Sequence, residues 1–251
     1  MKVAGIQCDL AWEDRDANHK RLRPLIEDAA HDGAGLVLLP EMFPTGFSMA
    51  TEQIAEDPDG ETAHFLHDVA SDTSAFVGGS FACRSPGHKK PTNRFLVCGP
   101  RGEEVFYDKI HPFTYGGETE HYSSGDRDVA FEVEGIRFTP FVCYDLRFAD
   151  WFWNAAMSTD CYTVVANWPA PRQAHWDDLL RARAIENQAY VIGVNRVGVG
   201  GRLEYVGGSV VYGPFGETIA KAGSEETTLS AEIDPSRVAE IRARFPFLAD
   251  R

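Results

Sequence analysis

The chain has 251 residues, 43% hydrophobic and 25% charged, the composition of an ordinary soluble globular protein with room for one large α/β domain or two small ones. Its formal charge of −14, from 38 acidic against 24 basic side chains, opposes binding to a phosphate backbone, so no nucleic acid partner is expected. No apolar run approaches the roughly 18 residues that cross a bilayer. The start, MKVAGIQCDLAW, lacks the apolar core and small-residue cleavage site of a signal peptide, so we expect a cytoplasmic protein with no membrane partner.

The elements follow in chain order. Lys2 to Cys8 alternates like a strand, and Asn18 to His31 carries Leu22, Leu25, Ile26 and Ala29 at helical spacing. The fully apolar run Gly35 to Glu41 ends in proline and then a carboxylate, and Thr62 to Ala70 reads as a second helix. Ala75 to Cys83, Asn93 to Cys98 and Glu104 to Asp108 follow as strands, the last two joined by the turn Gly99-Pro100-Arg101-Gly102. After Lys109 comes a long polar segment, IHPFTYGGETEHYSSGD, without periodicity, whose aromatics argue for a functional loop. Strands are expected at Val129 to Val133 and Arg137 to Val142, then a helix from Leu146, a strand Cys161 to Ala166, a helix Ala174 to Gln188 and a strand Tyr190 to Val197. Gly207 to Tyr212, Glu217 to Lys221 and Thr227 to Ile233 are further strands, and Pro235 to Arg244 is a closing helix with proline at its first position. Without a linker-like tract or repeat, a single domain over residues 1–251 is expected, with sheets covered by helices.

Cys8, Cys83, Cys98, Cys143 and Cys161 are odd in number and form no C-x-x-C pair, which argues against a disulfide framework or a zinc site and for free thiols. The acidic excess fits plain solubility, with a high-salt cytoplasm as a second reading.

Three apolar strands end in a reactive residue: LVLLP in Glu41, VFYD in Lys109 and TPFV in Cys143. Singly, each has an ordinary reading: a loop carboxylate, a solvated surface charge, a packed thiol. Together they have a chemical logic, because a thiol nucleophile needs a base and an acyl-transfer oxyanion needs a cation or a hydrogen-bond donor. Cys143 stands where FTPFV gives way to YDLRF, at a strand-to-helix turn where backbone N–H groups can hold an anion.

The stretches LLPEMFPTGF, YDKIHPF and CYDLRF, in that order, supported by NWPAPR, LLRARAIENQAYVIGVNRVG and GGSVVYGPFGE, make the chain resemble the nitrilase superfamily of carbon–nitrogen hydrolases over nearly its whole length. The segments FPTGFSM, EHYSSGD, NWP and VNRVG look most like its omega-amidase branch, whose members hydrolyse the terminal amide of short 2-oxo acid amides such as 2-oxoglutaramate. The resemblance implies an α/β fold, a four-layer αββα sandwich, usually a homodimer. It implies Cys143 as nucleophile, Glu41 as base and acid, Lys109 with the backbone N–H of Tyr144 as oxyanion holders, and a second glutamate, Glu118 in preference to Glu120. Substrate and water would be the only small-molecule partners, with no metal or organic cofactor. Ala149 and Asp150 stand where family members commonly carry proline, which puts the first turns of the following helix in doubt.

Other readings stand beside these. Phe43, Tyr115 and Trp168 each lie near a motif residue and are candidate substrate-pocket walls, though ordinary core aromatics would look the same. Asp145 and Arg147 are read as a structural ion pair, and Arg181, Arg183 and Glu186 as a solvated or dimer-facing surface. His111 and His121 leave a cysteine–histidine chemistry open. An N-carbamoyl or other aliphatic amide hydrolase is the alternative activity, and a catalytically silent binding protein on the same fold is the alternative class.

Overall fold

A computed structural model describes residues 1–250. In chain order the elements are β1 (Lys2–Gln7), α1 (Arg15–His31), β2 (Ala34–Leu38), α2 (Thr51–Ile54), α3 (Glu61–Thr73), β3 (Phe76–Cys83), β4 (Thr92–Cys98), β5 (Glu104–Asp108), α4 (Glu118–His121), β6 (Phe131–Val133), β7 (Ile136–Val142), α5 (Ala149–Ala155), β8 (Cys161–Ala166), α6 (Gln173–Asn187), β9 (Tyr190–Asn195), β10 (Val197–Gly200), β11 (Leu203–Val206), β12 (Val210–Tyr212), β13 (Thr218–Lys221), β14 (Thr227–Glu232) and α7 (Pro235–Arg244).

Strands that read as continuous apolar runs do so because both faces are covered. In β2 and the residue after it, Leu36 and Leu38 join one core while Val37 and Leu39 join the other. The first sheet runs β14-β1-β2-β3-β4-β5 and the second β13-β12-β9-β8-β7-β6. Helices α1 and α3 cover the outer face of the first, and α5 and α6 that of the second, giving four layers, αββα. The two sheets meet face to face. At their contact Gly5 is required, since a Cβ there would stand 2.7 Å from Cγ2 of Val194.

Several boundaries differ from the sequence expectation, each for a visible reason. Beyond Cys143 the chain makes a 3-10 turn over Cys143–Arg147, and the α-helix starts only at Ala149. The turn persists because side chains satisfy its backbone: Asp145 accepts from the Val142 N–H at 3.0 Å, and Arg183 donates to the Leu146 carbonyl at 2.8 and 3.1 Å. Arg183 is therefore buried under α5 rather than on a solvated surface. The expected strand Tyr190 to Val197 stops at Asn195, where the buried Arg196 turns the chain into a separate hairpin, β10–β11. The expected strand from Gly207 starts only at Val210, because Gly207 and Gly208 both hold positive φ, 68° and 75°. All five cysteines are free. Among the described residues no helix is long and apolar enough to cross a membrane.

Candidate active site

Strands β2, β5, β7 and β8 deliver Glu41, Lys109, Cys143 and Asn167 to one edge of the sandwich, just beyond their carboxyl ends, where open α/β architectures bind ligands. Glu41, Lys109 and Glu118 are completely buried there. Lys109 Nζ donates to Glu41 Oε1 at 2.8 Å and to Glu118 Oε2 and Oε1 at 2.8 and 3.1 Å. Asn93, from β4, bridges the same two carboxylates, its Nδ2 donating to Glu41 Oε1 at 2.9 Å and Glu118 Oε1 at 3.1 Å. The backbone N–H of Asn167 holds the other Glu41 oxygen at 2.8 Å, and that of Phe113 holds Glu118 Oε2 at 2.5 Å.

Charge counting explains the electrostatics. Two carboxylates surround one ammonium, so the buried cluster carries a net charge of −1 when all three are ionised. Burial alone would lower the Lys109 pKa, but Glu118 and Glu41 outweigh it and hold the ammonium well above its ordinary range. Glu118 is pushed up, chiefly by burial, with Glu41 adding to Lys109's incomplete compensation. The Cys143 thiol is raised well above its usual value by burial first and by the Glu41 carboxylate second, and its Sγ faces the Asn167 carbonyl at 4.0 Å. The thiol is thus held neutral, with the Glu41 carboxylate near enough to act on its charge.

Cys143 adopts φ 47°, the left-handed region that costs an ordinary residue about 1–3 kcal/mol and recurs at functional sites. Asp145 holds the strained turn. Its Oδ2 accepts from the Val142 N–H and, at 2.8 Å, from Tyr107 Oη, while Oδ1 accepts from the His111 backbone N–H and faces His111 Nδ1, both at 2.9 Å. One buried carboxylate therefore ties the end of β7 to the segment after Lys109.

Beside the thiol a narrow slot is walled by Phe47, Phe113, Tyr144, Trp168, Leu203 and Tyr205, with Arg147, Asn167 and Arg172 among its polar lining. Of the three expected pocket aromatics only Trp168 lines it. Phe43 is buried against Phe65 in the core under α1 and α3, because Met42 takes φ 48° directly after Glu41 and redirects the chain. Phe47 occupies the wall instead, its ring 5.3 Å from Lys109 Nζ. Tyr115 is 89% exposed, and its neighbour Phe113 is the wall residue.

Asp145 does pair, but with His111, not with Arg147, whose Nη2 lies 3.0 Å from His175 Nδ1 and whose guanidinium lies over Trp168 at 4.9 Å. His111 is stacked on Phe148 and engaged by Asp145, which leaves it no part beside the thiol. Glu120 is exposed while Glu118 joins the cluster. Asn93, Phe47, Arg172 and Tyr205 were not singled out from the sequence. Phe47, Arg172 and the wall residue Phe113 nevertheless stood inside recognised motifs, LLPEMFPTGF, NWPAPR and YDKIHPF.

Comparison with known proteins shows the family. The carbon-nitrogen hydrolase family model matches residues 2–243. The chain is 40% identical over 254 aligned positions to Omega-amidase YafV of Escherichia coli, covering 100% of this chain and 96% of that protein. It is 32% identical to 2-oxoglutaramate amidase of Bacillus subtilis, covering 99% and 96%. Among solved structures, XC1258 from Xanthomonas campestris, a CN-hydrolase superfamily protein with an arsenic adduct in its active site, superposes with a TM-score of 0.94 at 36% identity over 100% of this chain and 97% of that one. The chain belongs to the carbon-nitrogen hydrolase family.

Proposed function

We propose that the protein is a cysteine-dependent omega-amidase that releases ammonia from the terminal amide of a small linear 2-oxo acid, 2-oxoglutaramate being the lead substrate. The observation that carries this reading is the buried Glu41–Lys109–Glu118 cluster against the Cys143 thiol on its strained turn. Relatives of full length named as omega-amidase and 2-oxoglutaramate amidase support the substrate class.

Glu41 takes the thiol proton as Cys143 Sγ attacks the amide carbonyl, so the C–S bond forms as the carbonyl pair moves onto oxygen. Lys109 and the N–H of Tyr144 hold that oxyanion. Collapse breaks the C–N bond, and the proton on Glu41 leaves with ammonia. Glu41 then removes a proton from water as its oxygen attacks the thioester, and the thiol regains its proton when the acid departs. Glu118 keeps Lys109 oriented between the two carboxylates, and Asn93 sets their spacing. One domain, acting as a cytoplasmic homodimer, completes the proposal. The exposed apolar side chains of Met157, Ile185 and Phe215 supply candidate contact surface, and sedimentation velocity decides between monomer and dimer.

The test is ammonia release from 2-oxoglutaramate, glutamine, a nitrile and an N-carbamoyl amino acid, compared with Cys143→Ala. We expect rapid release from the oxo-acid amide by the wild type alone. If no substrate yields ammonia faster with the wild type than with the variant, the enzyme reading is wrong.

A further inference from the structure

At the end of β4 remote from Asn93, three side chains of different ligand chemistry converge. His67 from α3, Cys98 from the last position of β4 and Glu104 from the first position of β5 each offer one donor atom, and the three atoms lie within 4.8 Å of one another. Tertiary structure makes this meeting. Cys98 and Glu104 stand directly opposite each other in the antiparallel β4–β5 ladder, so their side chains share a face. That face is the one covered by α3, where Cys98 packs in the same core as Leu66 and Val69. No close-spaced motif announces the trio, since its members come from three separate elements.

The cluster is more than a surface ion pair. His67 Nε2 lies 2.8 Å from Glu104 Oε2, with the two side chains 32% and 47% exposed, but a completely buried thiol stands within reach of both. Cys98 Sγ has no hydrogen-bond partner among the described residues, whereas the Sγ atoms of Cys143 and Cys161 each face a carbonyl. Burial raises the Cys98 pKa to about 12, and the Glu104 charge adds to that, so the thiol keeps its proton when no cation is near. A divalent ion changes this balance: the sulfur binds as thiolate, its proton leaves to solvent, and the imidazole nitrogen and carboxylate oxygen complete three corners of one coordination sphere.

The donor set selects the metal. One sulfur, one nitrogen and one oxygen suit zinc, whereas magnesium and calcium take oxygen ligands. Bonds of about 2.3 Å to sulfur and about 2.0–2.1 Å to nitrogen and oxygen put tetrahedral ligand atoms about 3.3–3.6 Å apart, so closure moves two partly exposed side chains by about 1 Å. The exposed sides of His67 and Glu104 leave the fourth corner to water.

We propose that His67, Cys98 and Glu104 form a zinc site that clips α3 to the β4–β5 edge of the first sheet. Because β5 is the edge strand, the ion would fasten the helix layer to the strand with fewest neighbours. Cys98 lies about 16 Å along β4 from Asn93, so occupancy is read in stability and not in turnover.

The test uses Cys143→Ala protein throughout, so that the thiol of the candidate active site takes no ion. After chelator treatment and dialysis, cobalt(II), a spectroscopic stand-in for zinc, is titrated in at neutral pH. We expect a thiolate-to-cobalt charge-transfer band in the near ultraviolet that saturates at one ion per chain and vanishes when zinc is added. Cys98→Val should abolish the band. His67→Phe and Glu104→Gln should weaken cobalt binding by about 100-fold or more, since even outer-shell partners of a metal ligand are worth about 10–100-fold. Zinc at about 100 times its dissociation constant should raise the Tm by about 5–10 °C. That shift should disappear in His67→Phe, a change at a partly exposed helix position that leaves the core intact even where a Cys98 variant folds poorly. No thiolate band with cobalt in excess, a band that survives Cys98→Val, or an equal zinc-induced Tm shift in His67→Phe overturns the proposal. Neither measurement uses turnover, so the outcome is independent of the amidase reading.

Discussion

Asp145→Asn is the sharpest probe of what holds Cys143, the proposed nucleophile. The native carboxylate accepts on both oxygens: Val142 N–H and Tyr107 O–H on one, His111 backbone N–H on the other, with His111 Nδ1 beside it. An amide keeps one acceptor oxygen and turns the other position into a donor. The Tyr107 hydroxyl can rotate and the His111 ring can change tautomer, but a backbone N–H can do neither. In either amide orientation one buried N–H, that of Val142 or that of His111, then faces an NH2 group. Leaving it unpaired costs about 1–3 kcal/mol, and exchanging a charged acceptor for a neutral one weakens the surviving bonds by about 1 kcal/mol more. We therefore expect a loss of about 2–4 kcal/mol in urea unfolding at pH 7, and a fall in kcat of about tenfold or more because Cys143 is no longer held at its strained φ. The assay pairs unfolding monitored by tryptophan fluorescence with steady-state ammonia release. A variant within about 1 kcal/mol of wild type and with unchanged kcat would refute the claim that this carboxylate pins the turn.

Lys109→Met strands two buried carboxylates without their cation, so kcat/KM should fall by about 1000-fold and stability by about 3–5 kcal/mol at pH 7. Because those carboxyls then favour protonation, part of that stability should return as the pH drops from 7 to 5.5, and urea midpoints that do not recover relative to wild type would contradict the assignment. Glu118→Gln cannot accept from Lys109 and the Phe113 N–H through both of its terminal atoms, and should lower kcat by about 100-fold while KM barely moves. His19, stacked on Phe65 with ring centroids 4.3 Å apart, has its pKa lowered to about 4 by burial and by Arg15. The unfolded chain takes up that proton near pH 6.5 and the folded one only near 4, so His19's contribution is complete above 6.5 and declines as the pH falls to 4. Allowing for solvent screening at a partly exposed ring, the acid-sensitive share is about 1–2 kcal/mol, and His19→Phe should flatten the stability profile over that window by the same amount.

What could be read from the sequence and what could not divides along a physical line. The strands were legible because a chain buried on both faces must be apolar throughout, as in Leu36 to Leu39. The residues that close such runs, Glu41, Lys109 and Cys143, stood out because polarity changes abruptly at a strand's end. Asn93 gave no such signal, since it lies at the polar start of β4, between Thr92 and Arg94, where an asparagine marks no change of polarity. It reaches both glutamates only because β4 is sandwiched between β3 and β5, with the Asn93 carbonyl accepting the Lys109 N–H at 2.9 Å. Arg183 misled for a related reason: helical spacing revealed its partner Glu186 at 2.8 Å but not the Leu146 carbonyl that draws the guanidinium inward.

The pocket aromatics show the limit most directly. Phe43 and Phe47 flank the same turn, four positions apart, and each follows a residue of positive φ, Met42 at 48° and Gly46 at 71°, the first joining the core and the second facing the slot. Strand ends carry the proposed reacting groups, Glu41, Lys109 and Cys143, so that chemistry is written locally. The slot walls come from segments whose directions depend on distant packing: Phe47 after β2, Phe113 after β5, Arg172 before α6, and Tyr205 on the separate hairpin strand β11. Substrate choice is a property of those walls. Chains that share the same strand-end residues can therefore differ in the amide they accept, and exchanging loop residues such as Arg172 should change specificity while the Glu41–Lys109–Cys143 geometry stays in place.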